Sequence, residues 1–452
     1  MSNSYRTERD SMGEVRVPAE AMYGPQTQRA VENFPISGLR FPRSFIRAIG
    51  LIKSASAKVN ARLGEIPPDL AAKIEAAAEE VVEGKHDSQF VLDIFQTGSG
   101  TSTNMNANEV IGRLTGAHPN DHVNRGQSSN DVIPSAIHIA AAETAHQHLL
   151  PAMEHLQAAL SAKAAEFDDV VKIGRTHWQD ASPVRLGQEF GGYAHQVAAS
   201  IERIKSALTG IYELALGGTA VGTGLNTPPG FASAVIEELA RRTGLPFVEA
   251  KNHFEAQASK DAAVFLSGAL RTYAVALTKI AGDLRYMGSG PRCGIGELKL
   301  PEVQPGSSIM PGKVNPVIAE SLLMICAQVI GYDATIAWCD AGGHLELNVM
   351  MPVLAYDLLE SEEILAAGSK NFADRLVAGL EADREWIAAL VERSLSMATA
   401  LAPEIGYDKT ADIVKEAYRG GKSVREVAAD RSGLSDERLS ELLNPRGQTG
   451  PL

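Results

Sequence analysis

Residues 258–288 read ASKDAAVFLSGALRTYAVALTKIAGDLRYMG. Ala262, Ala263, Leu266, Ala269, Leu270, Tyr273, Ala274, Leu277 and Ile280 recur there at spacings of three and four, the period of an α-helix, and together they cover more than one narrow stripe. A helix apolar around so much of its circumference is buried on several sides. Two arrangements satisfy that requirement, a helix central to one chain and a helix shared with other subunits, and the pattern leaves both open.

The same period extends outward. Asn130 to about Phe167 reads as one very long helix, with Pro134 tolerable in its first turn and Pro151 predicting a kink. Further long helices are predicted at 183–209, 316–340 and 354–380. Residues 44–63 and 68–83 read as a pair joined at Pro67-Pro68, with Asp69 near the start of the second. A further region follows the Gly- and Asn-rich stretch ending at Asn106. After Pro403 the helices shorten to 408–419, 423–430 and 435–443, broken by Gly420-Gly421 and Gly433, which predicts a small C-terminal domain. Abundant alanine and only 6% aromatic residues favour close helix contacts. The class read from this is all-α, an elongated bundle of long helices.

Composition limits the function. A chain of 452 residues, 44% apolar, can bury a large core and exceeds one typical domain. Its formal net charge of -13 opposes nonspecific binding to nucleic acid or anionic membranes, so a site for an anion must be built from placed groups. Uninterrupted apolar runs fall well short of the ~20 residues that span a bilayer, and the polar N-terminus resembles neither a signal peptide nor a transit peptide. A soluble cytoplasmic protein is expected. Cys293, Cys326 and Cys339 form neither a disulfide framework nor a metal motif, and reduced thiols are expected. The scattered histidines suggest no metal site; His146 and His148 stand on different helix faces and read as surface residues.

Four polar clusters stand out: Ser99 to Asn106, Ser128 to Asp131, Thr176-His177 ahead of Ser182-Pro183, and Gly306-Ser307-Ser308-Ile309-Met310-Pro311-Gly312-Lys313-Val314-Asn315-Pro316. Each reads as lying just before or at the start of a helix, where hydroxyls and amides serve as caps, with Asn315-Pro316 as cap and first-turn proline. Taken together they exceed what capping requires. Converging helix N-termini would bind an anion with little formal charge, which suits a small dicarboxylate in an acidic protein. No Rossmann or Walker pattern is present, and the glycines of residues 217–224 read as a loop near the cleft.

The run Gly306 to Pro316 resembles the signature loop of the fumarase/aspartase superfamily. The resemblance spans most of the chain, through Met22-Tyr23-Gly24-Pro25-Gln26-Thr27, Gly98-Ser99-Gly100-Thr101-Ser102-Thr103-Asn104-Met105-Asn106, Gln127-Ser128-Ser129-Asn130-Asp131 and Gly174-Arg175-Thr176-His177. Gly312 and the stretch Gly290-Pro291-Arg292-Cys293-Gly294-Ile295-Gly296-Glu297-Leu298 resemble the class II fumarase branch. The resemblance implies three α domains, here 1–127, 128–384 and 385–452, and a homotetramer whose active sites are shared between subunits. It also implies metal-free, cofactor-free, reversible anti addition of water to fumarate, giving (S)-malate, as in the tricarboxylic acid cycle.

By the same resemblance, Ser307 is the base on a mobile loop, His177 the partner that exchanges protons with the departing water, and Glu320 the carboxylate that orients His177. Ser99, Gly100, Thr101, Ser128, Ser129, Asn130, Thr176, Ser308, Lys313, Val314 and Asn315 are implied to bind the dicarboxylate. His118-Pro119-Asn120-Asp121 resembles a second dicarboxylate-binding segment, and a plain turn leading into a helix fits those residues as well. The enzymatic alternative is aspartate ammonia-lyase. A partner-binding protein on a retired lyase scaffold would predict damaged catalytic positions, whereas all of these are intact.

Overall fold

The long helices predicted from spacing form the framework. In the computed structural model, which describes residues 4–450, Leu186–Ile211, Asp261–Met287, Val317–Ala341 and Met351–Arg375 are continuous α-helices. Among the described residues, β-structure is confined to four two-stranded sheets and one isolated bridge, His344 with Leu347, so the all-α class holds. The 258–288 prediction begins too early. Asn252 caps a short helix, His253–Ala258, which ends at extended Ser259, and the long helix starts at Asp261.

The long element at 130–167 is helical throughout, with one local change. Ser129–Thr144 and Leu150–Glu166 are α-helical, and Ala145–Leu149 between them is a π turn. The disturbance expected from Pro151 takes that form, because a proline has no N–H to donate and the widened turn accommodates the missing bond. Pro134 lies beyond the first turn, inside the helix. Its missing N–H leaves the Asn130 carbonyl without a helical partner.

The chain forms two compact units. The first comprises Met1–Pro151, Ser200–Ala274 and Ile325–Ala366, the second Ala152–Ala199, Val275–Met324 and Ala367–Leu452. In the first, an antiparallel hairpin, Tyr5–Asp10 with Gly13–Pro18, packs Val15 and Val17 on Tyr23 and Val110. The helix pair Arg43–Arg62 and Pro68–Val82 follows the predicted boundaries closely. Ser267 and Arg271 bind the Asp333 carboxylate at 2.8 and 2.6 Å, tying two long helices together.

In the second unit a hairpin, Val171–Thr176 with Gln179–Arg185, replaces the helix start expected after Thr176-His177. Burial in the segment comes in blocks rather than alternating, with Lys172 to Gly174 buried and Thr176 to Asp180 exposed, and the helix begins only at Leu186. Ile173 packs on Val391 and Met397. The C-terminal helices Tyr407–Gly420, Val424–Arg431 and Asp436–Leu442 enclose a small core of Leu401, Ile413, Val424, Val427, Leu439 and Leu443.

Asp261–Met287 buries Leu266, Leu270, Tyr273, Leu277 and Ile280 completely, yet Phe265 is 62% and Val275 54% exposed. Val317–Ala341 likewise exposes Met324 at 68% and Trp338 at 75%. Both helices are long and apolar enough, by length and composition, to cross a membrane. Polar residues, among them Arg271-Thr272 in the first and Glu320-Ser321 in the second, divide their apolar stretches into short runs.

Candidate active site

In the first unit two of the polar clusters are bonded to each other. Gly100, at φ +72°, caps Thr101–Thr115, and a side chain there would meet Ile133 at 2.8 Å. Thr101 therefore opens the helix with its hydroxyl 2.7 Å from Ser99 Oγ. Ser128 caps the Ser129–Thr144 helix by accepting from Asn130 N at 3.2 Å, and its own N–H donates to Asp131 Oδ1 at 2.9 Å, a reciprocal capping box. Asn104 Nδ2 donates to Ser129 Oγ at 3.0 Å, joining the two helix starts through a buried bond.

Asp131 contributes more than its position in the cap suggests. Its Oδ2 accepts from Gly217 N at 3.0 Å and Thr219 N at 2.9 Å, while Asn130 Nδ2 donates to Ala220 O at 2.7 Å. The glycine-rich loop is thereby fastened to the Ser128–Asn130 turn. Burial raises the Asp131 pKa to about 6 against the pull of three backbone N–H groups, and buried Lys53 supplies an opposing charge. Lys53 donates to Asn124 Oδ1 and Gln127 Oε1, both at 2.9 Å, and burial lowers its pKa to about 7. Lys53 is not among the residues singled out from sequence, and Asp131 stands there only as the end of a polar cluster, without a role of its own. The available signal was a lysine in the middle of an apolar helix, Ile46 to Val59, which burial alone does not explain.

In the second unit His177 stands at the tip of the hairpin. Both His177 (φ +53°) and Trp178 (φ +63°) are left-handed, the conformation of a two-residue hairpin turn usually built from Asn and Gly. Two non-glycine residues held there cost about 1–3 kcal/mol each, strain that persists only where the surroundings impose it. Thr176 and His177 are exposed. Trp178, 70% exposed, sets its ring edge-on to Tyr286 with centroids 4.1 Å apart. A cleft of about 510 Å³ beside them is lined by Lys172, Arg175, His177, Trp178, Tyr193 and Lys279 among others.

The Ser307 loop is closed at its neck, where Ser307 N donates to Lys313 O at 3.2 Å; a side chain on Gly306 would run into that carbonyl. Ile309 N donates to Ser307 Oγ at 3.3 Å, so the hydroxyl already has one backbone donor. Ser308 and Lys313 are exposed, Val314 and Asn315 half-buried. The helix begins at Val317, one residue later than expected, with the Pro316 carbonyl accepting from Glu320 N at 3.0 Å. Glu320 Oε1 lies 3.7 Å from Arg285 Nη2, and no bond joins it to His177 among the described residues. Arg285 and Tyr286 are neighbours on Asp261–Met287, so one helix end supports both the hairpin tip and Glu320.

His118 opens a π turn, Pro119–Val123, and its Nδ1 accepts from Asp121 N at 3.1 Å, with Asp121 Oδ2 3.2 Å away. His118, Pro119 and Asn120 line a cleft of about 450 Å³ with Arg6, Arg9 and Arg113. Among the described residues, no group of three His, Cys, Asp or Glu side chains is placed to hold a metal ion. His146 bonds to Tyr212 and His148 to Glu363, and among the described residues no cysteine forms a disulfide.

Comparison with known proteins places these features in a family. Residues 13–331 match the family model described as Lyase, and residues 397–449 match the one described as Fumarase C C-terminus. The chain is 51% identical to the fumarate hydratase class II of Ralstonia nicotianae, across 98% of this chain and 99% of that protein. It is 54% identical to the one from Mycobacterium tuberculosis, across 97% and 94%. Its structure superimposes on the crystal structure of recombinant class II fumarase from Schistosoma mansoni with a TM-score of 0.96 and 41% identity, covering 99% of this chain and all of the other. The chain belongs to the class II fumarate hydratase family of lyases.

Proposed function

We propose that this protein is a fumarate hydratase, a hydro-lyase that interconverts fumarate and (S)-malate in the tricarboxylic acid cycle. The observation that carries the reading is its identity of 51–54% to class II fumarate hydratases over at least 97% of the chain, with the motif residues intact. In the dehydration direction, Ser307 Oγ takes a proton from C3 of malate and the C–H electrons move into the adjacent carboxylate, forming an aci-carboxylate. Those electrons then return to form the C2–C3 double bond as the C2–O bond breaks, and His177 gives a proton to the departing hydroxide on the opposite face, releasing water.

A serine alkoxide is disfavoured in water, so the base requires donors and exclusion of solvent. The Ile309 N–H is one donor in place, and Lys313 adds a positive charge six residues on. Ser99, Gly100, Thr101, Ser128, Ser129 and Asn130, with Thr176, Ser308, Val314 and Asn315, hold the carboxylates through hydroxyls, amides and helix N-termini. The test is fumarate formation, followed by its ultraviolet absorbance with a metal chelator present. The reading expects product from (S)-malate and none from L-aspartate; ammonium release from aspartate would instead identify an ammonia-lyase.

The assembly proposed is a cytoplasmic homotetramer of three-domain chains divided at 1–127, 128–384 and 385–452, with each site shared between subunits. The exposed faces at Phe265, Val275, Met324 and Trp338 support it, since such patches mark protein contacts. Glu320 would then orient His177 of another copy. A monomer by sedimentation would overturn the assembly. The His118–Asp121 segment is proposed as a weaker second dicarboxylate site, with His118 Nε2 left to face a ligand while Nδ1 serves the turn.

A further inference from the structure

The strain at the tip of the hairpin needs something to hold it, and a buried carboxylate of the second unit is placed to do so. Glu297 is fully buried. Its Oε1 accepts from Arg175 Nη1 at 2.9 Å, and its Oε2 lies 3.3 Å from Lys172 Nζ, an ion pair without hydrogen-bond geometry. Lys172 and Arg175 are three residues apart and on a regular strand would face opposite ways. The register shift between Ile173 and Arg175 turns the strand so that both reach the same carboxylate. Gly174 permits the shift, because a side chain there would lie 2.6 Å from the Ser182 carbonyl.

Glu297 itself cannot follow the strand. Its N–H donates to Met287 O at 2.8 Å, its carbonyl accepts from Asp383 N at 2.9 Å, and the next two residues pair with Glu381–Ala382. His177 is thus bracketed by two contacts, Arg175 on Glu297 before it and Trp178 on Tyr286 after it, and Tyr286 adjoins the Met287 that anchors Glu297. A buried ion pair is poor evidence of net stabilisation, but it does specify geometry. We infer that Glu297 is a positioning residue for His177, setting the register of the strand that carries it and holding the tip in its left-handed turn.

The inference rests on the assignment of His177 to proton transfer, so the experiment is a mutant cycle with Glu297→Gln and His177→Asn, singly and together. Glu297→Gln is expected to lower kcat about 10²-fold, the scale of a misplacement near 1 Å, with KM for malate changed less than about threefold. In the His177→Asn background it should cost nothing further. Equal losses in both backgrounds, or a loss confined to KM, would overturn the inference. Unchanged turnover in His177→Asn alone would instead overturn the assignment of His177. Removing a buried charge can prevent folding, so Glu297→Asp, which keeps the charge and withdraws it from Arg175, is measured in parallel. It should show a smaller loss in kcat with the same dependence on His177, and wild-type kcat in this variant would count against the inference.

Discussion

The polar groups of the two units are held in different ways. Around Ser128 and Asp131 the side chains are bonded to one another and largely buried: one carboxylate takes three backbone N–H groups, and Asn104 ties the two helix starts together. Around His177 and Ser307 the groups proposed to transfer protons stand on a hairpin tip and a closed loop, with few bonds of their own. Groups that only grip a charged ligand gain from being fixed before it arrives. Groups that exchange protons with it need access, and under the inference above His177 takes its placement from Glu297 and Tyr286.

Ser307→Ala should separate the two regions most sharply. Loss of a base predicts a fall in kcat of about 10³-fold or more, with malate binding retained because the grip is untouched; isothermal titration beside a turnover assay would show the split, and turnover near wild type would remove Ser307 from its role. Asp131→Asn should act in the opposite sense. An amide can no longer accept from all three backbone donors, and leaving one unpaired costs about 1–3 kcal/mol, so the midpoint in urea should fall and KM rise several-fold more than kcat changes.

The smallest effect expected concerns pH. His138 donates from Nδ1 to the Glu213 carbonyl at 2.7 Å, and burial depresses its pKa from 6.5 to about 4. The unfolded chain therefore binds a proton that the fold refuses, so this contribution to stability is complete above about pH 6.5 and is lost as pH falls toward 4. His138→Gln, which keeps a donor, should flatten that part of the melting-temperature profile. A slope unchanged from wild type would show that His138 is not the group responsible.

The helices were legible because a 3.6-residue period survives in long apolar segments such as 261–287, and the polar clusters because hydroxyls and glycines were concentrated beside them. The hairpin at 171–185 was not. Its strands are short, Ser182-Pro183 imitates a helix start, and its turn uses His and Trp where the usual signal is Asn-Gly. Lys53 escaped for a different reason, as did the roles of Asp131 and Glu297, which stand inside the stretches Gln127 to Asp131 and Gly290 to Leu298. Each acts through partners distant in sequence, the Asn124–Gln127 turn, the Gly217 loop and Arg175, and residue order carries no trace of such pairings.

The proposal that grip and proton transfer in each site come from different copies is tested most directly by complementation. Asn130→Ala and His177→Asn, each expected to be nearly inactive alone, are mixed, dissociated and reassembled. Shared sites predict recovered malate turnover, because some sites then receive an intact version of both groups. Turnover that stays at the level of the two variants alone would contradict the account and place both groups of each site in one chain.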